Sequence, residues 1–228
     1  MVARSWAYTS QRRLFEKVNI AGDKRLKWWQ SNIPPTNVEL LQHVRSLSYE
    51  IPKARSDCPI RDYSPSFRQL RDLSLHGGYP LSSFDQIGTP AAFQHTLSYF
   101  RLRCCKVTTS ALVTIINYFP NLAHLDLSEV SYSLDSQHTP PISRPLQKLS
   151  IREFNRTGLD LVEQLMGLRP QCDDVTVSLY VASCPSLIHR VIDGVGANVK
   201  RLSLAWWPSG VCDIPKSISK GWLRETLE

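Results

Sequence analysis

A six-residue apolar pattern returns along this chain at nearly constant intervals. LRDLSL begins at Leu70, LAHLDL at Leu122, LQKLSI at Leu146 and VKRLSL at Val199, each with apolar residues at positions one, four and six, and LSYFRL at Leu97 joins them. Weaker copies begin at Phe15 (FEKVNI), Val44 (VRSLSY) and Cys172 (CDDVTV). The starts fall at 15, 44, 70, 97, 122, 146, 172 and 199, with spacings of 29, 26, 27, 25, 24, 26 and 27. Such a period marks stacked units, because a unit this small cannot bury its apolar edge alone and closes a core only against its neighbours.

The pattern fixes what each unit contributes. Positions four and six share one face of an extended strand, and the residues between them point the other way. A chain that returns to the same side every time pairs its strands in parallel, and parallel pairing needs a crossover segment. Between Thr108 and Phe119, the residues Leu112, Ile115, Ile116 and Phe119 recur at helical spacing after a Thr-Thr-Ser cap and stop at Pro120. Leu159, Val162 and Leu165 repeat this before Pro170, as do Leu187, Ile188, Val191, Ile192 and Val195 after Pro185. The stretches Pro52 to Pro65 and Ser131 to Pro145 are polar and proline-rich and are expected to be irregular loops. The core is predicted to hold Leu73, Leu75, Leu125, Leu127, Leu149 and Leu202 in successive parallel strands. A doubly wound nucleotide-binding fold would also alternate strands and helices. The one GxG, at Gly194 and Gly196, ends a predicted helix and precedes a strand, the reverse of the order that places a phosphate on a helix N-terminus.

Composition narrows the function classes. With 228 residues, 42% of them hydrophobic, the chain is large enough to hold a core without disulfides. Cys58, Cys104, Cys105, Cys172, Cys184 and Cys212 include no CxxC pair and no Cys/His cluster with zinc spacing, so neither a metal nor any other cofactor is expected. No apolar run approaches the roughly 20 residues of a membrane span, and no secretory signal pattern opens the chain. A soluble protein of a reducing compartment, cytoplasm or nucleus, is the expectation. The net charge of +7 is concentrated near the start, where Arg4, Arg12, Arg13, Lys17, Lys24, Arg25 and Lys27 face only Glu16 and Asp23. A basic end of this kind is ordinarily a solvated face, and nucleic acid is not the expected partner.

The units resemble leucine-rich repeats, and CCKVTTSALVTII, from Cys104 to Ile116, looks like the subtype in which a cysteine after the strand precedes a Thr-led helix. Elsewhere the ninth position holds Pro52, Gly78, Val130, Phe154, Tyr180 and Trp207, so the usual Asn or Cys ladder is missing. Degenerate repeats of this kind resemble those of fungal F-box proteins. The opening VARSWAYTSQRRLF looks like the last helix and exit of an F-box, with Val2, Trp6 and Leu14 at its apolar contacts. The resemblance implies an α/β solenoid with a curved parallel sheet and three parts: an F-box-like helix remnant over 1–14, a degenerate repeat arc over 15–207 and a cap or tail over 208–228. It also implies the substrate-binding arc of an F-box-type subunit of a Skp–cullin–F-box ubiquitin ligase. A Skp-type adaptor is expected as a partner only of a longer chain, since most of the box would precede Met1; the chain is then a fragment or a relative that has lost the box. The other expectation is a free-standing repeat scaffold unrelated to ubiquitin.

Catalysis is not expected. His124, Asp126 and Ser128 share one side of a strand, but no strained elbow or oxyanion donor accompanies them. The vicinal Cys104 and Cys105 point to opposite faces, one of them into the core. Asn155-Arg156-Thr157 is a glycosylation sequon that matters only on a secretory route. The open face carries the binding expectation: Tyr99, Arg101, Arg103, His124, Asp126, Lys148 and Arg152 come from adjacent strands, and aromatic and arginine residues together favour protein recognition. Its middle is predicted to be cationic and to suit an acidic protein segment. Trp206 and Trp207 at one end, with Trp28 and Trp29 at the other, are expected to close the ends of the core.

Overall fold

A computed structural model describes residues 2–33, 38–50, 66–77, 80–81, 90–132, 141–153, 165, 168, 170–179, 193 and 199–206. Helix α1 (Val2–Phe15) leads into strand β1 (Lys17–Ile20), followed by α2 (Gly22–Asn32), the single turn α3 (Val38–Leu41) and β2 (Ser46–Glu50). Then come β3 (Asp72–His76), β4 (Pro80–Leu81), a 3-10 turn (Pro90–Phe93), β5 (Tyr99–Arg103), β6 (Lys106–Val107) and helix α4 (Thr109–Tyr118). The chain continues through β7 (His124–Ser128), β8 (Ser131–Tyr132), β9 (Leu146–Glu153), β10 (Cys172–Leu179) and β11 (Arg201–Trp206).

The fold is α/β, built on an unclosed eight-stranded sheet in the order β1-β2-β3-β5-β7-β9-β10-β11, every pair parallel. Strand order therefore follows the chain. Lys17, Ser46, Asp72, Tyr99, His124, Lys148, Asp174 and Arg201 stand in one register row, each two residues after a start of the sequence pattern. Position four gives the buried row Leu47, Leu73, Phe100, Leu125, Leu149 and Val175, and position six gives Ile20, Tyr49, Leu75, Leu102, Leu127, Ile151 and Val177. Leu202, expected in the core, is only partly buried, because among the described strands β11 ends the sheet and has one neighbour.

Backbone hydrogen bonds repeat from unit to unit on both ends of the strands. At the entrance, the carbonyls of Glu16, Arg45, Arg71, Ser98 and Ala123 each accept two successive N–H groups of the next strand, as Glu16 does from Arg45 and Ser46. At the exit, Gly77, Cys104 and Glu129 adopt positive φ values of 135, 53 and 53 degrees, and their N–H groups donate to Arg103, Ser128 and Arg152. These turn residues thus find partners in the neighbouring backbone. That is the physical reason the ninth position can vary: Val130 there is simply buried, while the buried Cys105 thiol donates to the Arg103 carbonyl at 3.3 Å.

The predicted helix is present as α4. The Thr108 hydroxyl accepts from the Ala111 N–H at 3.2 Å, and Leu112, Ile115 and Ile116 face the core, where Phe119 stacks on Phe93 at 5.8 Å. Two expectations need correction. Ser131 and Tyr132, assigned to an irregular loop, form β8 in a second parallel sheet ordered β4-β6-β8; two-residue strands are too short to show a hydrophobic period. Trp28 does not close the core: it is 60% exposed, because Leu26, Trp29 and Ile33 take the buried face of α2 and its neighbour is turned about 100 degrees away. Trp29 does so, against Phe15 at 6.5 Å. Leu14 is 74% exposed, whereas the side chains of Val2, Trp6 and Trp206 lie outside the described residues. So do the loop from Pro52 to Pro65, Gly194, Gly196, Asn155, Trp207 and, apart from the helical and exposed Asp193, the predicted helix over Leu187 to Val195; of Leu159, Val162 and Leu165, only Leu165 is described, and it is buried. No described helix is long and apolar enough to cross a membrane.

Candidate functional site

The face opposite the core presents three rows of side chains, set by the alternation of each strand. The middle row runs Asn19, Ser48, Ser74, Arg101, Asp126, Ser150, Thr176 and Ser203, flanked by the row from Lys17 to Arg201 and by a third containing His76, Arg103, Ser128 and Arg152. The sequence-predicted residues Tyr99, Arg101, Arg103, His124, Asp126, Lys148 and Arg152 all lie here, on the contiguous strands β5, β7 and β9.

Asp126 organises the centre. Its side chain is only 7% exposed, and Oδ2 accepts from Arg101 Nη2 at 2.7 Å, Arg101 Nε at 3.0 Å and the Tyr99 hydroxyl at 3.1 Å. The Arg101 guanidinium also lies 5.4 Å from the Tyr99 ring centroid, and His124 meets that ring edge-on at 6.3 Å. Burial, with the neighbouring Asp126 charge, pushes the Tyr99 phenol up to about 12, against the opposing pull of Arg101. For Arg101, burial works to lower the pKa, but the hydrogen bonds and charge of Asp126 outweigh it and the net shift is upward. Tyr99 is therefore neutral and Arg101 charged at any physiological pH.

A second cluster sits at the exits of β5 and β7. Arg103 Nη2 lies 3.5 Å from Glu129 Oε1, and the Cys104 thiol donates to Glu129 Oε2 at 3.1 Å. Burial, followed by that carboxylate, raises the Cys104 pKa, so the thiol is held protonated rather than primed as a nucleophile. The vicinal pair is divided as expected, Cys105 in the core and Cys104 outside.

These pairings correct the expected cationic middle. Arg101 is neutralised by Asp126, and Arg103 by Glu129, which sequence reasoning passed over because it follows the strand instead of lying in it. Stacking the units would have exposed it, since Glu129 occupies the same turn position as Cys104 and Gly77. Positive charge remains on β9, where Lys148 and Arg152 are exposed. His124, Asp126 and Ser128 form no relay, because Asp126 is bonded to Tyr99 and Arg101. Among the described residues no three His, Cys, Asp or Glu side chains are grouped to hold a metal ion.

Beside the Tyr99 and Arg101 ridge lies an open groove of about 550 Å³, lined by Ser46, Ser48, Asp72, Ser74, Ser98, Tyr99, Arg101 and His124. It exists because β2 and β3 carry the small side chains Ser46, Ser48, Asp72 and Ser74 where β5 and β7 carry large ones. The sequence does not reveal it directly, as its lining comes from four strands. The chain matches no protein-family model, no curated protein and no solved structure.

Proposed function

We propose that this chain is a protein-recognition module: a solenoid of degenerate leucine-rich repeats whose open sheet face holds a partner protein, serving as the substrate-binding arc of an F-box-type ubiquitin ligase subunit. One observation carries the recognition part. Eight parallel strands follow chain order, one per sequence unit, and leave one continuous polar face with an aromatic and arginine cluster at its centre. The ligase connection rests on the resemblance of the opening helix and of the repeats.

The test uses the full chain as bait in crosslinking and capture, comparing Lys148→Glu with Arg152→Glu as a double variant against Lys27→Glu, an exposed residue of α2. Arg101 is unsuitable for charge reversal, since a glutamate there would face the buried Asp126. Loss of specific partners in the β9 variant alone supports the open face. Retention there, with loss in the α2 variant, would place recognition elsewhere. Ubiquitin ligase components among the captured partners would support the ligase assignment, and partners without them would favour the free-standing scaffold.

A further inference from the structure

On the open face Asp72 and the β9 cations lie on opposite sides of the Tyr99 and His124 ridge, with Lys17 beyond Asp72 and Asp174, itself paired with Arg201, beyond Lys148 in the same row. In the groove, Asp72 makes no ion pair or side-chain hydrogen bond among the described residues, and it shares the lining with the hydroxyls of Ser46, Ser48, Ser74, Ser98 and Tyr99 and with Arg101 and His124. An unpaired carboxylate set among hydroxyl acceptors, with the nearby Arg101 already neutralised, suits a cation and repels an anion. On the other side of the Tyr99 and His124 ridge, Lys148 shares a register row with Asp72, and Arg152 lies on the same strand, both exposed.

Building on the recognition role proposed above, we infer that the partner segment carries a lysine or arginine and a carboxylate at a fixed separation. The cation enters the groove against Asp72, and the carboxylate meets Lys148 and Arg152. The separation follows from the sheet. From β3 to β9 are three strand intervals, about 14 Å at the usual spacing of about 4.8 Å. An extended peptide lying across the strands covers this in about four residues at about 3.3 Å each. Between its two charges the segment passes over Tyr99 and His124, whose rings provide apolar contact. The acidic partner expected from sequence thus becomes one of mixed charge.

Fluorescence polarisation with the purified full chain tests this, using short labelled peptides with one lysine and one glutamate placed at each separation and in both orders. Affinity should peak at a separation of about four residues. Asp72→Asn should weaken the best peptide about tenfold, and Lys148→Gln with Arg152→Gln should do the same, while Thr176→Ala changes little. Among the described residues Asp72 and Lys148 make no side-chain bonds to lose, and thermal melts of each variant check that the fold is kept. Binding that follows net peptide charge regardless of spacing, or an all-acidic peptide that binds as tightly, overturns the inference. If no spacing preference emerges while the β9 variant still loses its native partner on crosslinking, this inference falls and the recognition role stands. If native capture is also unaffected, both fall.

Discussion

Holding a carboxylate on a sheet face with most of its surface removed from water costs desolvation, and Asp126 recovers it through three donors on a single oxygen. Oδ1 is buried without a hydrogen-bond partner, so the residue has no reserve. Arg101→Ala should therefore destabilise the fold by about 2 kcal/mol, below the value for a fully buried pair because Arg101 itself is 42% exposed. Adding Asp126→Ala should restore part of that loss, and a double-mutant cycle from urea unfolding measures the coupling. Tyr99 makes the same network sensitive to alkali. Its folded pKa of about 12 lies above the usual phenol value of about 10, so the folded state holds the proton more tightly. Its contribution is present in full below pH about 10 and is lost as pH rises toward about 12. The stability difference between the native chain and Tyr99→Phe should shrink over that interval; denaturant melts at stepped pH would show it, and a constant difference would contradict the network.

At the scale of the element, the inward leucines and the helix cap set what each unit needs. Leu125→Ala and Leu149→Ala should each cost on the order of 2 to 5 kcal/mol, since both are enclosed between neighbouring rungs and leave a cavity. Thr108→Ala should cost about 1 kcal/mol through the lost bond to the Ala111 N–H, while Thr108→Ser retains most of it. Chemical denaturation with a helix-sensitive and a fluorescence probe distinguishes local fraying of α4 from global loss. The strands of the main sheet, their register and α4 were legible because alternation and a 3.6-residue period are written locally, in five to twelve consecutive residues, as the two-residue strands of the second sheet are not. Leu73 and Leu75 declare their face without reference to any other unit. The groove depends instead on small residues of β2 and β3 lying beside large ones of β5 and β7, a relation visible only once the strands are laid side by side. The Arg103 to Glu129 pair hid for a similar reason: its two members come from consecutive units, and Glu129 sits in a turn that departs from the strand's alternation. Trp28 and Trp29 looked equivalent in sequence, and the helix separates them by one position of rotation.

Across the whole molecule, each interior strand of the main sheet pairs with the main-sheet strands before and after it in the chain, so protection should fall from the middle of the sheet toward its edges. Native-state hydrogen exchange should show the slowest amides in β5, β7 and β9 and faster exchange in β1 and β11; uniform protection would indicate one all-or-none unit. Leu202, less enclosed than Leu125 in the corresponding row, already records this gradient in its burial. The same ordering decides how the molecule bears load. Among the described residues no strand pairing in the main sheet joins β1 to β11, so tension applied through the two edge strands crosses seven interfaces in series, with the short β4-β6-β8 sheet alongside only part of that path. Pulled that way, the sheet should yield one strand at a time, each step releasing one unit of chain, and its strength should be that of its weakest rung.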